Sequence, residues 1–96
     1  MITLKKIQSK LRGEMAFLKT RYHVKSVAVF GSFVYGTPRM GSDIDLLIEF
    51  KKTPDLFEFL HLETYLESVL GRRVDLVRKS ALRKELRGLL KEVVRI

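Results

Sequence analysis

The sequence contains no cysteine and no tryptophan, and it has only two prolines among 96 residues. Without cysteine the chain can form neither a disulfide framework nor a thiolate metal site. It has no apolar run of transmembrane length and no signal-peptide pattern, so we expect a cytoplasmic protein without a membrane segment. Acidic residues are also few, 11 against 19 Lys and Arg. The resulting net charge of +8 favours an anionic partner such as a nucleotide, a nucleic acid or an acidic protein face.

Length and apolar content predict one domain over residues 1–96, because 46% apolar residues suffice for a single core. Apolar spacing predicts an α/β fold with a small mixed β-sheet flanked by helices. The predicted elements are a helix capped by Thr3 and ending near Tyr22, strands at Val27–Phe30, Ser42–Ile48 and Arg73–Val77, a short helix after Gly31, a helix from Thr53 to Leu70, and a last helix starting at Ser80.

The three long predicted helices are amphipathic, which indicates that each packs one face against the sheet. Thr53 is expected to cap the middle one, with Pro54 at its first position and Gly71 just beyond its end. Their expected buried residues are Leu4, Ile7, Leu11, Met15 and Leu18 in the first; Leu56, Phe59, Leu60, Leu62, Leu66, Val69 and Leu70 in the second; and Leu82, Leu86, Leu89, Leu90 and Val93 in the last.

Asp43 and Asp45 are one residue apart within an apolar strand pattern. Side chains alternate along a strand, so the two carboxylates share one face while Ile44 and Leu46 face the core. Their Cα atoms should lie roughly 6–7 Å apart, close enough to share one or two divalent ions. Because Mg²⁺ takes oxygen ligands and is normally bound by one or two carboxylates plus substrate phosphates, the pair predicts a magnesium site.

Gly31 and Ser32 follow the first strand at the start of a short predicted helix. A residue without Cβ allows another group to approach the backbone, and the first N–H groups of a helix attract anions. Ser32 adds a hydroxyl donor. This turn therefore predicts a phosphate subsite beside the aspartates.

Gly31-Ser32, ten intervening residues and Asp43-Ile44-Asp45 together resemble the signature of the polymerase-β nucleotidyltransferase superfamily, and the compact chain resembles its minimal nucleotidyltransferase (MNT) domains. The resemblance implies a nucleotidyltransferase core with a third carboxylate at Asp75. It also implies an antitoxin that transfers AMP from ATP to a tyrosine of a HEPN-type ribonuclease toxin and silences it.

The resemblance further implies how the site residues act. Asp43, Asp45 and Asp75 would hold two Mg²⁺ ions, with Asp75 also activating the acceptor hydroxyl. Gly31 and Ser32 would bind the β- and γ-phosphates of ATP. The further nucleotide contacts are Arg39 and Ser42.

One departure from the family pattern concerns the turn after the short helix. Many relatives have Ala-Arg-Gly where this chain has Val34-Tyr35-Gly36. Two alternatives to AMP transfer onto a toxin stay open. The first is an antitoxin that only occludes its partner, and this departure favours it. The second is a nucleotidyltransferase that acts on nucleic acid, which the positive charge would allow.

Overall fold

A computed structural model of the chain describes residues 2–36, 43–81 and 93–96. Helix α1 spans Leu4–Arg21, strand β1 Val24–Phe30, helix α2 Ser32–Tyr35, strand β2 Ile44–Phe50, helix α3 Leu56–Leu70, strand β3 Val74–Arg78, a 3₁₀ turn Lys79–Ala81 and strand β4 Val94–Arg95.

The four strands form one sheet in the order β3-β2-β1-β4. β1 is antiparallel to both β2 and β4, whereas β2 and β3 are parallel. Since α3 lies between β2 and β3 in the chain, it provides the crossover that a parallel pair requires. The predicted α/β fold with a small mixed sheet is confirmed.

The core lies between one face of the sheet and the helices α1 and α3. Its members are fully or almost fully buried, and partly buried apolar side chains surround them. The largest contributions come from Ile7, Leu11 and Leu18 of α1, Val24, Val27 and Val29 of β1, Ile44, Leu46 and Ile48 of β2, and Leu62, Leu66 and Leu70 of α3.

The apolar face predicted for α3 was too broad. Leu56 is 68% exposed and Leu60 47% exposed, whereas Leu62 and Leu66 are fully buried. At 3.6 residues per turn, Leu60 lies about 200° around the helix from Leu62, so the two cannot face the same sheet. Leucine content suggested the wider stripe, but helical geometry allows only the narrower one.

Two helix boundaries depend on side-chain caps. Thr3 caps α1 as predicted, accepting the Lys6 N–H at 3.3 Å. The predicted Thr53 cap of α3 was wrong, because Asp55 caps that helix and accepts the Glu58 N–H at 2.8 Å. Aspartate is at least as good an N-cap as threonine, and glutamate three residues later is typical of such starts.

The C-terminal part differs from expectation at both ends of the last predicted helix. Ser80 lies in the 3₁₀ turn, and Val93 directly precedes β4. β4 pairs Val94 with Val29, a strand that no local pattern indicated. The predicted residues Leu82, Leu86, Leu89 and Leu90 lie outside the described part of the chain.

Candidate active site

Asp45 and Asp75 lie side by side on neighbouring strands. β2 and β3 pair in parallel with Asp45 directly opposite Asp75. Residues aligned in this way point to the same side of a sheet, and adjacent strands are about 4.8 Å apart. Ile44 and Leu46, which flank Asp45, are fully buried on the opposite face. The sheet therefore brings the two carboxyl groups together on the face opposite the core.

The Asp45 carboxyl lies in an unfavourable electrostatic environment for an anion. Burial raises its pKa most, the negative charges of Asp75 and then Asp43 raise it further, and a hydrogen bond with the Asp75 carboxyl acts in the same direction. Asp43 is itself exposed and directly precedes β2. Three carboxyl groups thus interact at this edge of the sheet, and Asp45 is the central one.

Gly31 joins β1 to α2 in a conformation that side chains rarely allow, with φ 78° and ψ −150°. A Cβ added there would collide with the Asp45 carboxylate, in direct overlap with Oδ2 and only 3.0 Å from Cγ. The sequence predicts that this glycine lets a phosphate approach the backbone. The structure adds a second reason, since only glycine leaves room for the Asp45 carboxylate where it stands.

Ser32 begins α2 and is half-buried beside Gly31. The Gly31 carbonyl accepts the N–H groups of Val34 and Tyr35 at 3.0 and 3.2 Å. In a helix of one turn, the first N–H groups have no acceptor within the helix. Phosphate binding here would therefore use the first N–H groups of α2, which have no acceptor in the helix, and the Ser32 hydroxyl. The dipole of so short a helix would contribute little.

α2 is anchored by a single aromatic side chain. Phe33 is only 4% exposed, and the Arg72 guanidinium lies over its ring at 5.4 Å from the centroid. Tyr35, the predicted departure from the family pattern, is 53% exposed. Arg39 and Ser42, the other predicted nucleotide contacts, lie outside the described residues.

Two glutamates of α3 that the sequence argument did not assign to the site approach β3. Glu67 accepts the Val74 N–H at 3.0 Å. Burial raises the pKa of Glu63, and the charges of Glu67 and Asp75 raise it further, whereas a hydrogen bond from the Leu76 N–H lowers it. Their four-residue spacing put them on one face of the helix, but nothing in the sequence showed that this face met β3.

The donor set fits a hard divalent cation. Asp43, Asp45 and Asp75 offer only oxygen ligands, and the pKa of Asp45 is raised by burial first and then by the negative charges of Asp75 and Asp43. Within the described ranges, no three His, Cys, Asp or Glu side chains already converge as a metal site. The three-carboxylate magnesium site stays a prediction.

The part of the chain that the structure describes contains no helix long and apolar enough to cross a membrane. A cavity of about 410 Å³ lies further along β1 and β2, lined also by residues next to and within β4. It is lined by residues including Ser26, Ala28, Leu47 and Glu49, and it contains none of the predicted site residues.

The mixed sheet, the Gly-Ser turn and the paired carboxylates on adjacent strands define the core of a nucleotidyltransferase. A family profile described as "Nucleotidyltransferase domain" matches residues 9–96. The chain therefore belongs to the nucleotidyltransferase domain family.

Relatives in sequence and structure agree with this assignment. The chain is 44% identical over 95 residues to protein adenylyltransferase MntA of Thermococcus cleftensis, covering 99% of this chain and 93% of that protein. A solved structure described as a minimal nucleotidyltransferase superposes with a TM-score of 0.82 at 31% identity, over 99% of this chain and 97% of the other.

A third similarity is to a chain in the structure of tri-AMPylated Shewanella oneidensis HEPN toxin in complex with MNT antitoxin. The TM-score is 0.58 at 23% identity, over 83% of this chain and 61% of that chain. At this identity the match shows a shared fold.

Proposed function

We propose that this protein is a Mg²⁺-dependent protein adenylyltransferase that acts as an antitoxin, transferring AMP from ATP to a tyrosine of a HEPN-type toxin. The observation that carries the proposal is the pairing of Asp45 with Asp75 beside Gly31. The name of the Thermococcus relative supports the reaction, and the AMPylated toxin in the Shewanella complex supports the acceptor.

In the proposed reaction, the tyrosine oxygen attacks the α-phosphorus of ATP. A bond forms between these atoms, the bond from the α-phosphorus to the bridging oxygen breaks, and pyrophosphate leaves. Bound Mg²⁺ would neutralise charge on the phosphates and lower the pKa of the acceptor hydroxyl. Asp43 and Asp45 would hold it, and Asp75 would complete the site on the acceptor side.

The position of each residue supports its proposed role. The half-buried Asp45 is held between β1 and β3, where its carboxyl contacts that of Asp75. Asp75 is exposed, so a side chain from another protein can reach it and transfer its phenolic proton to the carboxylate. Ser32 lies on the β1 side, where it would donate to a phosphate oxygen.

The decisive experiment uses intact-mass spectrometry of a cognate HEPN-type protein after incubation with this protein, Mg²⁺ and ATP. We expect one or more AMP additions with the parent protein and none with Asp75→Asn. Asp55→Asn is the matched control, because it makes the same chemical change on α3 and asparagine is an equally good N-cap.

The two alternative functions give different results in the same experiment. If the toxin is silenced without a change in mass, and Asp75→Asn silences it equally well, the protein acts by occlusion. If labelled nucleotide appears on RNA instead of on the toxin, the acceptor is a nucleic acid.

A further inference from the structure

β3 forms one border of the sheet, with β2 as its neighbour there. The Ile44 N–H donates to the Arg73 carbonyl at 2.9 Å, so the polar groups of Arg73 face β2. Backbone polar groups alternate sides along a strand, and the N–H groups of Val74 and Leu76 therefore point away from the sheet. These two residues flank Asp75. A strand edge of this kind normally exposes its backbone groups.

Here α3 supplies the acceptors that a further strand would otherwise provide. Glu67 Oε2 accepts the Val74 N–H at 3.0 Å. The Leu76 N–H also interacts with the Glu63 carboxyl, and this interaction lowers the pKa of Glu63. Side-chain carboxylates of α3 thus lie at the backbone immediately before Asp75 and immediately after it.

The spacing of the two glutamates matches the spacing of the two donors. Glu63 and Glu67 are four residues apart on a helix, a rise of about 6 Å. Val74 and Leu76 are two residues apart on a strand, a rise of roughly 6.6 Å. α3 therefore presents a carboxylate near each of the two outward N–H groups that flank Asp75.

The helix that carries these glutamates is firmly placed. Leu62 and Leu66 are fully buried and Leu70 is 2% exposed. Glu63 and Glu67 each follow one of these leucines directly, so the packing of the leucines fixes the part of the helix from which the two glutamate side chains extend. Both glutamates are partly buried.

We propose that Glu63 and Glu67 are positioning residues of the transfer site: by holding the backbone on either side of Asp75, they keep its carboxylate level with that of Asp45. Their effect on the rate of transfer rests on the proposed function. Their effect on the register of β3 does not.

The test compares Glu67→Ala with Glu67→Gln, because glutamine keeps an oxygen that can accept the Val74 N–H. Glu58→Ala is the matched control. Glu58 lies on the same helix but pairs with Arg21 at 3.2 Å, where both side chains are nearly half exposed. Two properties are measured: hydrogen exchange of the Val74 and Leu76 amides by NMR, and the kinetics of AMP transfer.

We expect Glu67→Ala to speed exchange at Val74 by about tenfold or more, because the variant leaves that donor without its acceptor. The kcat for transfer should fall by a similar factor, whereas the KM for ATP should change by less than about twofold, since Gly31, Ser32 and Asp45 stay in place. Glu67→Gln should restore both exchange and kcat, and Glu58→Ala should alter neither.

The inference is overturned if Glu67→Ala leaves Val74 exchange and kcat at parental values. It is also overturned if exchange rises while kcat is unchanged, or if Glu67→Gln is as slow as Glu67→Ala. Should Glu67→Ala fail to fold, Glu63→Ala with exchange read at Leu76 replaces it. If the parent protein transfers no AMP, the proposed function fails, and the exchange data alone decide whether the glutamates hold β3.

Discussion

Replacing Gly31 with alanine tests the geometry of the site most directly. Gly31 has φ 78° and ψ −150°, and the added Cβ would overlap the Asp45 carboxylate. One methyl group therefore imposes two separate costs. The first is backbone strain, and the second is displacement of the carboxyl group on which the proposed metal site depends.

The expected magnitude follows from these two costs. A non-glycine residue in this backbone region costs roughly 1–3 kcal/mol. Forcing a methyl group against Asp45 costs roughly another 1–3 kcal/mol, as overpacking does in general. The sum of roughly 2–6 kcal/mol is a large share of the 5–15 kcal/mol that typically stabilises a folded domain. For a chain of this length, we expect the melting temperature to fall by at least about 8 °C.

Alanine variants at two other glycines separate the cost of backbone strain from the cost of the collision with Asp45. Gly71 also has a positive φ of 71°, but an added Cβ would meet nothing within 4 Å. Gly71→Ala should therefore cost only about 1–2 kcal/mol, the penalty for a left-handed residue. Gly13 lies within α1 with open space around it, and Gly13→Ala should stabilise the protein by about 0.5–1 kcal/mol.

The assay combines urea unfolding of the metal-free protein with calorimetric titration of Mg-ATP. We expect Gly31→Ala to be the least stable of the three variants and to lose Mg-ATP binding, whereas Gly71→Ala and Gly13→Ala should bind as the parent does. A Gly31→Ala variant that is no less stable than Gly71→Ala would contradict the expected collision. Normal Mg-ATP binding by Gly31→Ala would contradict it equally, because the Asp45 carboxylate would then not be displaced.

Three further predictions concern charge, capping and packing. Asp45 has a raised pKa in the folded protein, so its contribution to stability is present at acid pH and is lost as the pH rises through that pKa. Asp45→Asn should remove this loss and make the metal-free variant more stable than the parent at neutral pH. Equal free energies of unfolding in urea at pH 7 would contradict this prediction. Asp55→Ala should lower the free energy of unfolding in urea by about 1 kcal/mol, and Thr53→Ala should hardly change it. The reverse order would indicate that Thr53 is the N-cap. Leu66→Ala should lower the free energy of unfolding by about 2–5 kcal/mol, because Leu66 is fully buried. A decrease below about 1 kcal/mol, measured by thermal unfolding, would contradict its place in the core.

Much of the fold could be predicted from local patterns. The Thr3 cap and the glycine that ends α3 are local features, and the structure has both. The fully buried Ile44 and Leu46 follow from the two-residue period of a strand. The two-residue strand β4 has no such pattern, since only its pairing with β1 defines it.

Some features of the candidate site could likewise be predicted from local patterns, and others could not. The sequence alone predicted Asp43 and Asp45 on one side of a strand with a glycine turn before them, because both features depend on neighbouring residues. The structure places Asp45 in β2, whereas Asp43 directly precedes that strand. Only the tertiary structure decided that Asp75 stands opposite Asp45, that Gly31 meets the Asp45 carboxylate, and that α3 holds the edge of β3. The physical reason is that each of these contacts depends on strand order or on how a helix packs against the sheet, even between the consecutive elements α3 and β3, and no local spacing records such packing.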